Sequence, residues 1–260
     1  MTVSTVVGCG YVGGELSRLL ADEGHDVHAV SRSGVDIDGV ESHEFDVTQE
    51  VELPESDNVF YLVSAGSRDP EAYERAYVEG LKNVIGDIGG TDADLVYSSS
   101  TGVYETSDGS WVDEETEIDP TTRRTEVLLR AEELTRESGG TVVRFAGLYG
   151  PERYGLDRYL DGARVPSGYL NLLHRRDAAG SLRFVAEEET RHDLYLAVDD
   201  QPVDRHELAR WLAEKTGRNV GNLADETKSS NKRCSNERLK NEGWVPEYPN
   251  YREGYSEKLS

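Results

Sequence analysis

At 260 residues the chain has room for one good-sized domain, or for a domain carrying a smaller lobe. A chain of that length buries roughly three quarters of its unfolded surface, so it needs neither disulfides nor metal to fold. Its 28 Lys+Arg and 51 Asp+Glu give a net charge of −23, a field that repels nucleic-acid phosphates and anionic membrane surfaces. Two cysteines, Cys9 and Cys234, make no disulfide framework and fit a reducing compartment. No apolar run approaches the ~20 residues of a membrane span. The first residues enter a strand directly, with no signal-like segment. The expectation is a cytoplasmic protein whose partners are small molecules, with no nucleic acid and no membrane.

Val3 to Val7 is a β-branched run ending at Gly8, the pattern of a buried parallel strand. Val12, Leu16, Leu19 and Leu20 then keep one helical face, which Gly24 ends. Further strand-like runs follow at Asp26–Val30, Ser42–Phe45, Asn58–Val63, Asp94–Ser99 and Thr141–Phe145. Helical faces lie between them, one through Tyr73, Tyr77, Leu81, Val84 and Ile88, another through Val127, Ala131 and Leu134. Alternation over 145 residues predicts an α/β fold, a doubly wound parallel sheet of the Rossmann kind over residues 1–150. After Gly150 the alternation fails. Tyr169–His174 and Asp193–Val198 read as strands, and Asp204 with Glu207 as the start of a helix carrying Leu208, Trp211 and Leu212. Residues 151–260 are therefore expected to form a smaller, partly C-terminal substrate lobe, with some segments returning to the core.

Gly8-Cys9-Gly10-Tyr11-Val12-Gly13 is G-x-G-x-x-G between a strand and a helix. Gly8 permits the tight turn, Gly10 lets the backbone approach a pyrophosphate, and Gly13 lets the helix pack on the strand. The helix N-terminus brings N–H groups and a positive dipole end to the phosphates. The second strand runs into Ser31-Arg32-Ser33, with no acid until Asp36. A carboxylate there would hold the ribose 2′-OH of NAD, whereas Ser and Arg suit a 2′-phosphate. NADP is the expected cofactor, and NAD the lesser alternative. The expected cofactor set is Gly8, Gly10, Tyr11, Val12, Gly13, Ser31 and Arg32, with Asp46 and Ser64 just after the third and fourth strands.

Several segments together resemble the extended short-chain dehydrogenases/reductases, the NAD(P)-dependent epimerase/dehydratase family. Leu95-Val96-Tyr97-Ser98-Ser99-Ser100-Thr101-Gly102-Val103-Tyr104 is similar to that family's fifth strand and catalytic-serine region. Arg144 through Arg153 is similar to its sixth strand and the loop into the substrate lobe, and Asn171-x-x-His174-x-x-Asp177 to a later N-x-x-H-x-x-D segment. The tail, from Lys232 through Trp244 to Pro249, resembles an atypical branch labelled sugar-nucleotide epimerase or YeeZ-like. The acidic, Arg-rich, Lys-poor composition, 22 Arg against 6 Lys, resembles halophilic proteins from haloarchaea.

The resemblance implies that Ser100 is the catalytic serine and Glu132 the family's helix glutamate. Counting back from Glu132 puts Leu128 at the family's lysine and Arg124 at its tyrosine. Leu supplies no charge or hydrogen bond, and Arg stays protonated. No Tyr and no Lys lies between Tyr104 and Gly140. Three readings stay open. Tyr104, Tyr149 or His174 donates the proton; Arg124 holds an anionic substrate or oxyanion; or the chain binds NADP(H) without turnover, as a sensor or scaffold. Tyr149, Arg153 and His174 are the expected substrate-side residues, and the substrate a carbonyl compound or sugar-nucleotide-type molecule. No metal site is expected, since His25 and His28 should point apart and no HExxH or cysteine pair occurs. The acidic runs Asp113–Glu117 and Glu187–Glu189 read as solvated faces, and the aromatics of the tail as lobe packing. Helices over 69–89 and 119–139 leave monomer and homodimer equally open.

Overall fold

The computed structural model describes residues 1–49, 51–67, 69–188, 192–227 and 230–259. They divide into two compact units. The first comprises Met1–Ser100, Pro120–Arg144 and Ala178–Tyr195. It opens with β1 Val3–Val7, α1 Gly13–Asp22, β2 Asp26–Ser31, β3 Val40–Glu44 and β4 Asn58–Tyr61, with no helix among the described residues between β2, β3 and β4, unlike the strict alternation expected. After α2 Pro70–Glu74 and α3 Gly80–Ile88 come β5 Asp94–Ser100, α4 Arg123–Glu137, β6 Thr141–Phe145, α5 Arg175–Glu187 and β7 Leu194–Ala197. The seven strands form one parallel sheet, with spatial order β3-β2-β1-β4-β5-β6-β7. The order reverses at β1, between its pairing with β2 on one side and β4 on the other. Open α/β sheets bind ligands beyond the strand ends at such a reversal.

Helices cover the sheet by burying narrow apolar stripes. Leu16 and Leu20 of α1, Leu81 and Val84 of α3, and Ala178, Leu182 and Val185 of α5 are all essentially inaccessible. One core cluster runs from Val7, Val30 and Val59 through Tyr61, Leu95 and Tyr97 to Ala131 and Val142. Inside it, Glu132 of α4 takes a bidentate pair from Arg144 of β6, at 2.9 Å (Nε to Oε1) and 2.5 Å (Nη2 to Oε2). Ser99 Oγ donates to the same Oε1 at 2.5 Å. A buried ion pair is tolerable only when bidentate and fully bonded in this way.

The long helix expected over 69–89 is interrupted. Arg75–Glu79 forms a π-turn, in which the Gly80 N–H donates to the Arg75 carbonyl. The cause is Tyr61 of β4, whose hydroxyl donates to the Ala76 carbonyl at 2.5 Å. A side chain inserted into the ladder forces the wider turn. Gly80 leaves room for it, since a Cβ there would come within 2.5 Å of the Tyr61 hydroxyl oxygen. The effect is local and sharp: it sets Arg75 and Ala76 at the edge of the cleft described below.

The second unit comprises Thr101–Asp119, Phe145–Asp177 and Leu196–Ser260. Its core gathers Tyr149, Tyr154, Leu160, Leu172, Val203, Leu208, Leu212, Tyr251 and Tyr255. The tail aromatics are thus packing residues, as expected. The helix Arg205–Thr216 starts where predicted, with the Asp204 carboxylate accepting from the His206 and Glu207 N–H groups. The single strand expected over Tyr169–His174 is split at Asn171 into Tyr169–Leu170 and Leu172–His174, which pair with different partners. The two units interleave along the chain: 101–119 and 145–150 belong to the second and 178–195 to the first. Within the run Asp113–Glu117, Glu114 is not solvated: its side chain is 4 % exposed and accepts the Leu196 N–H at 2.8 Å. Glu189 lies outside the described residues. No helix among the described residues is long and apolar enough to cross a membrane.

Candidate functional site

The glycine turn sits at the end of β1, where the sheet order reverses. Gly8 adopts φ +98°, and a Cβ on it would lie 2.6 Å from the Leu62 carbonyl carbon. A Cβ on Gly13 would lie 2.4 Å from the Gly8 carbonyl oxygen. Both glycines are therefore demanded by the turn and by the seating of α1. Gly10 is different. It is exposed, and a Cβ there would meet no described protein atom within 4 Å. The fold gives no reason for this glycine, whereas a ligand pressed against the backbone would. Val12 begins α1 with no side-chain cap among the described residues, the condition in which helix N–H groups are offered to an anion.

Gly8, Cys9 and Gly10 form one wall of a cleft of about 380 Å³. Ser31 and Arg32 from the end of β2, Asp46 beyond β3, Ser64 beyond β4, and Arg75 and Ala76 of the π-turn line the rest. Gly8, Gly10, Ser31, Arg32, Asp46 and Ser64 thus line one cleft. Tyr11, Val12 and Gly13, which run from the turn into α1, are not among the residues lining the cleft. The Ser31 hydroxyl is buried and has no hydrogen-bond partner among the described residues. An orphaned hydroxyl costs free energy unless something in the cleft bonds it. Asp46 is held below the ordinary carboxylate range, first by the Thr48 N–H at 3.0 Å and further by the Thr48 hydroxyl and the Arg32 charge. Cys9 has its thiol pushed up by burial and lies 3.2 Å from Ser17 Oγ, so it is a packing residue. Arg75 is the cleft residue that sequence reasoning missed. It begins the π-turn, and its side chain, 51 % exposed, also lies 3.7 Å from Glu71.

The expected catalytic positions are less cohesive. Ser100 ends β5 and is half-buried. Leu128 is buried in the face of α4, 3 % exposed, as plain packing. Arg124, one turn earlier, is exposed and stacks over the Tyr73 ring at 5.7 Å. With Pro70, Tyr73, Arg123 and Val127 it lines a second depression, which shares no described residue with the cofactor cleft. Tyr77, which the sequence placed on one helical face with Tyr73 and Leu81, packs on Tyr73 with ring centroids 5.1 Å apart. Its phenol oxygen is bonded by the backbone of Ala65, a cleft residue. Burial pushes the Tyr77 phenol up, with the Arg124 charge pulling weakly the other way, so it stays protonated at neutral pH.

The alternative proton donors are all buried, and the Tyr149 hydroxyl and His174 Nε2 have no hydrogen-bond partner among the described residues. Tyr104 is buried and donates its hydroxyl proton to the Asp113 carbonyl at 2.6 Å. Tyr149 stacks on Tyr255 at 5.0 Å, and burial drives its phenol far above the ordinary range. His174 is fully buried beneath Tyr248, and desolvation lowers it to about 4. Arg153 is exposed. The segment Asn171-x-x-His174-x-x-Asp177 holds the tail in place. Asn171 bonds the backbone of Lys232 and Cys234, and Asp177 accepts the N–H groups of Glu247 and Tyr248 at 2.6 and 3.1 Å.

A glycine turn at the switch point of a doubly wound sheet, with a cleft ending in Ser and Arg, defines a dinucleotide-binding protein of the Rossmann class. The family model described as "NAD dependent epimerase/dehydratase family" matches residues 5–194, and the chain belongs to that family, whose members bind NAD(P). A protein of Methylobacillus flagellatus ascribed to the NAD-dependent epimerases/dehydratases is 29 % identical with a TM-score of 0.81, covering 99 % of this chain and 97 % of its own. A conserved protein of unknown function from Silicibacter pomeroyi is 26 % identical with a TM-score of 0.80, covering 98 % and 97 %. UDP-glucose 4-epimerase of Thermotoga maritima, solved with UDP-glucose, shares the fold at 19 % identity and a TM-score of 0.83, covering 99 % and 97 %. No curated protein matches the chain.

Proposed function

We propose that this chain is an NADP(H)-dependent oxidoreductase of epimerase/dehydratase type, acting on a carbonyl or sugar-nucleotide-type small molecule. The observation that carries the reading is the cleft itself: a glycine the fold does not need at its mouth, and an unsatisfied Ser31 hydroxyl between Arg32 and the pyrophosphate turn. Ser31 and Arg32 would hold a ribose 2′-phosphate, with Arg75 adding a second positive charge from the π-turn. When bound, the nicotinamide supplies hydride transfer. Ser100 is assigned to polarising the substrate carbonyl. Tyr77, protonated, at the Ala65 edge of the cleft and close to Arg124, takes the proton-donor role that Arg124 and Leu128 cannot fill. The acidic, Arg-rich surface points to a cytoplasm of high salt.

A second reading has its own support. Leu128 is packed into the core at the position where the family's lysine is expected, which favours a protein that binds NADP(H) without turnover. One experiment separates the two. Fluorescence titration should show NADPH binding tenfold to a hundredfold tighter than NADH, as one charge-assisted contact of about 1.5–3 kcal/mol implies. Arg32→Ala should erase the preference, and equal affinities in the wild type would overturn the assignment to NADP. NADPH oxidation across sugar nucleotides, aldehydes and ketones should then fall about 10²–10³-fold in Ser100→Ala. It should fall in Tyr77→Phe as well. Tight cofactor binding with no turnover over the whole panel would establish the sensor instead.

A further inference from the structure

Two histidines and a glutamate meet on the outer strands of the sheet, away from every residue assigned above. The parallel register pairs His28 of β2 with Glu41 of β3, and Val30 with His43. Side chains alternate along a strand, so His28, Glu41 and His43 must project from the same face of the sheet. They do. His28 Nδ1 lies 3.0 Å from His43 Nε2. A Glu41 carboxylate oxygen lies 3.9 Å from His28 Nδ1, and the other 3.6 Å from His43 Nε2. His25, expected from its spacing to point away from His28, lies with its Nδ1 3.1 Å from Ser4 Oγ.

We propose that His28, Glu41 and His43 form a binding site for a divalent first-row transition ion, zinc being the natural occupant. Tetrahedral zinc holds nitrogen and oxygen at about 2.0–2.2 Å, which puts neighbouring ligand atoms roughly 3.3–3.5 Å apart. The three spacings of 3.0, 3.6 and 3.9 Å bracket that value, so a small closing movement of Glu41 completes the triangle. Glu41 can make it, since its side chain is 66 % exposed, while the histidines, at 13 % and 26 %, are held by the strands. Two imidazoles and one carboxylate select zinc, cobalt, nickel or copper over magnesium and calcium, which take all-oxygen shells. Three protein ligands leave the fourth position to water. His28 stands three residues before Ser31, and His43 three before Asp46, so an ion here would tie together the two strands that carry the far wall of the cleft.

The test uses the purified, chelator-treated chain with zinc chloride and cobalt chloride as probes, and magnesium chloride as control. Isothermal titration should give one zinc per chain, and cobalt should develop the absorption bands of a tetrahedral site. His43→Gln and Glu41→Gln should each weaken zinc at least about tenfold, because even the loss of an outer partner of a ligand costs that much. Glu41 is exposed and not in the core, so its variant should fold normally. Melting temperature should rise with zinc in the wild type and not in either variant. No zinc binding, or binding equal in the wild type and both variants, or binding matched by magnesium, would overturn the proposal and leave His28 and His43 as an imidazole hydrogen bond.

Discussion

The mouth of the cofactor cleft and the start of α4 teach opposite lessons about residues that carry chemistry. At the cleft, Gly10 and Ser31 are choices the fold does not explain: no described atom would touch a Cβ on Gly10, and no described group bonds the Ser31 hydroxyl. At α4, Leu128 and Glu132 are accounted for completely, one by packing and one by Arg144 and Ser99. A residue unexplained by the fold is evidence for a ligand. A residue fully explained by it offers no free chemistry, whatever its place in a family pattern.

The widest separation should come from the glycines. Gly10→Val should abolish binding of either dinucleotide while leaving the melting temperature nearly unchanged, because the new side chain enters the cleft and not the core. Gly13→Val should do the reverse damage, since its Cβ would stand 2.4 Å from the Gly8 carbonyl oxygen and α1 could no longer seat. Cofactor titration alongside thermal unfolding reads both. If Gly10→Val unfolds the protein, the contrast between a ligand-required and a fold-required glycine disappears.

Glu132 sharpens the other side. Removing one partner of a buried ion pair leaves an uncompensated charge, at a cost of about 3–5 kcal/mol. Glu132→Ala should therefore lower stability in urea unfolding by about that amount. Glu132→Gln, which still accepts from Arg144 and Ser99, should lose less. Cofactor affinity of the folded fraction should be unaffected by either. A stability loss under about 1 kcal/mol for Glu132→Ala would mean that the pair is wetter than its geometry suggests.

The legible part of the molecule is the part governed by periodicity and by glycine. The central strands, the turn and the Asp204-capped helix follow from local pattern, which needs no partner to be recognised. What stayed hidden depends on where a single polar atom points. Nothing in the spelling of Tyr61 foretells that its hydroxyl bonds the Ala76 carbonyl at a π-turn whose Arg75 lines the cleft. Tyr104, Tyr149 and His174 are chemically able residues, yet a hydrogen bond holds Tyr104 and the other two are buried against aromatic rings. His28 and His43 stand fifteen residues apart and meet through strand register alone. Residue type announces capacity. Burial and partners decide whether the capacity is free.

The smallest effect concerns His174 and asks whether that rule holds in the second unit. Desolvation lowers its imidazole from 6.5 to about 4, so over that range the unfolded chain binds the proton and the folded chain does not. Its contribution is full above pH 6.5 and is lost as the pH falls towards 4, by at most about 3 kcal/mol at ~1.4 kcal/mol per unit. Asp177, raised by burial from 3.8 to about 6, acts in the opposite sense: the folded state there holds its proton more tightly, so stability falls as pH rises through the same window. The two slopes largely offset each other in the native protein. His174→Gln should unmask the Asp177 slope, so that between about pH 4 and 6 the variant, compared with wild type, loses ground as the pH rises. Asp177→Asn should give the opposite slope. Urea unfolding across that window measures both, and NADPH turnover provides the control. A fold residue moves the stability profile and leaves the pH dependence of turnover in place. If His174→Gln instead removed an ionisation from the rate profile with no change in the stability slope, His174 would belong to the reaction after all.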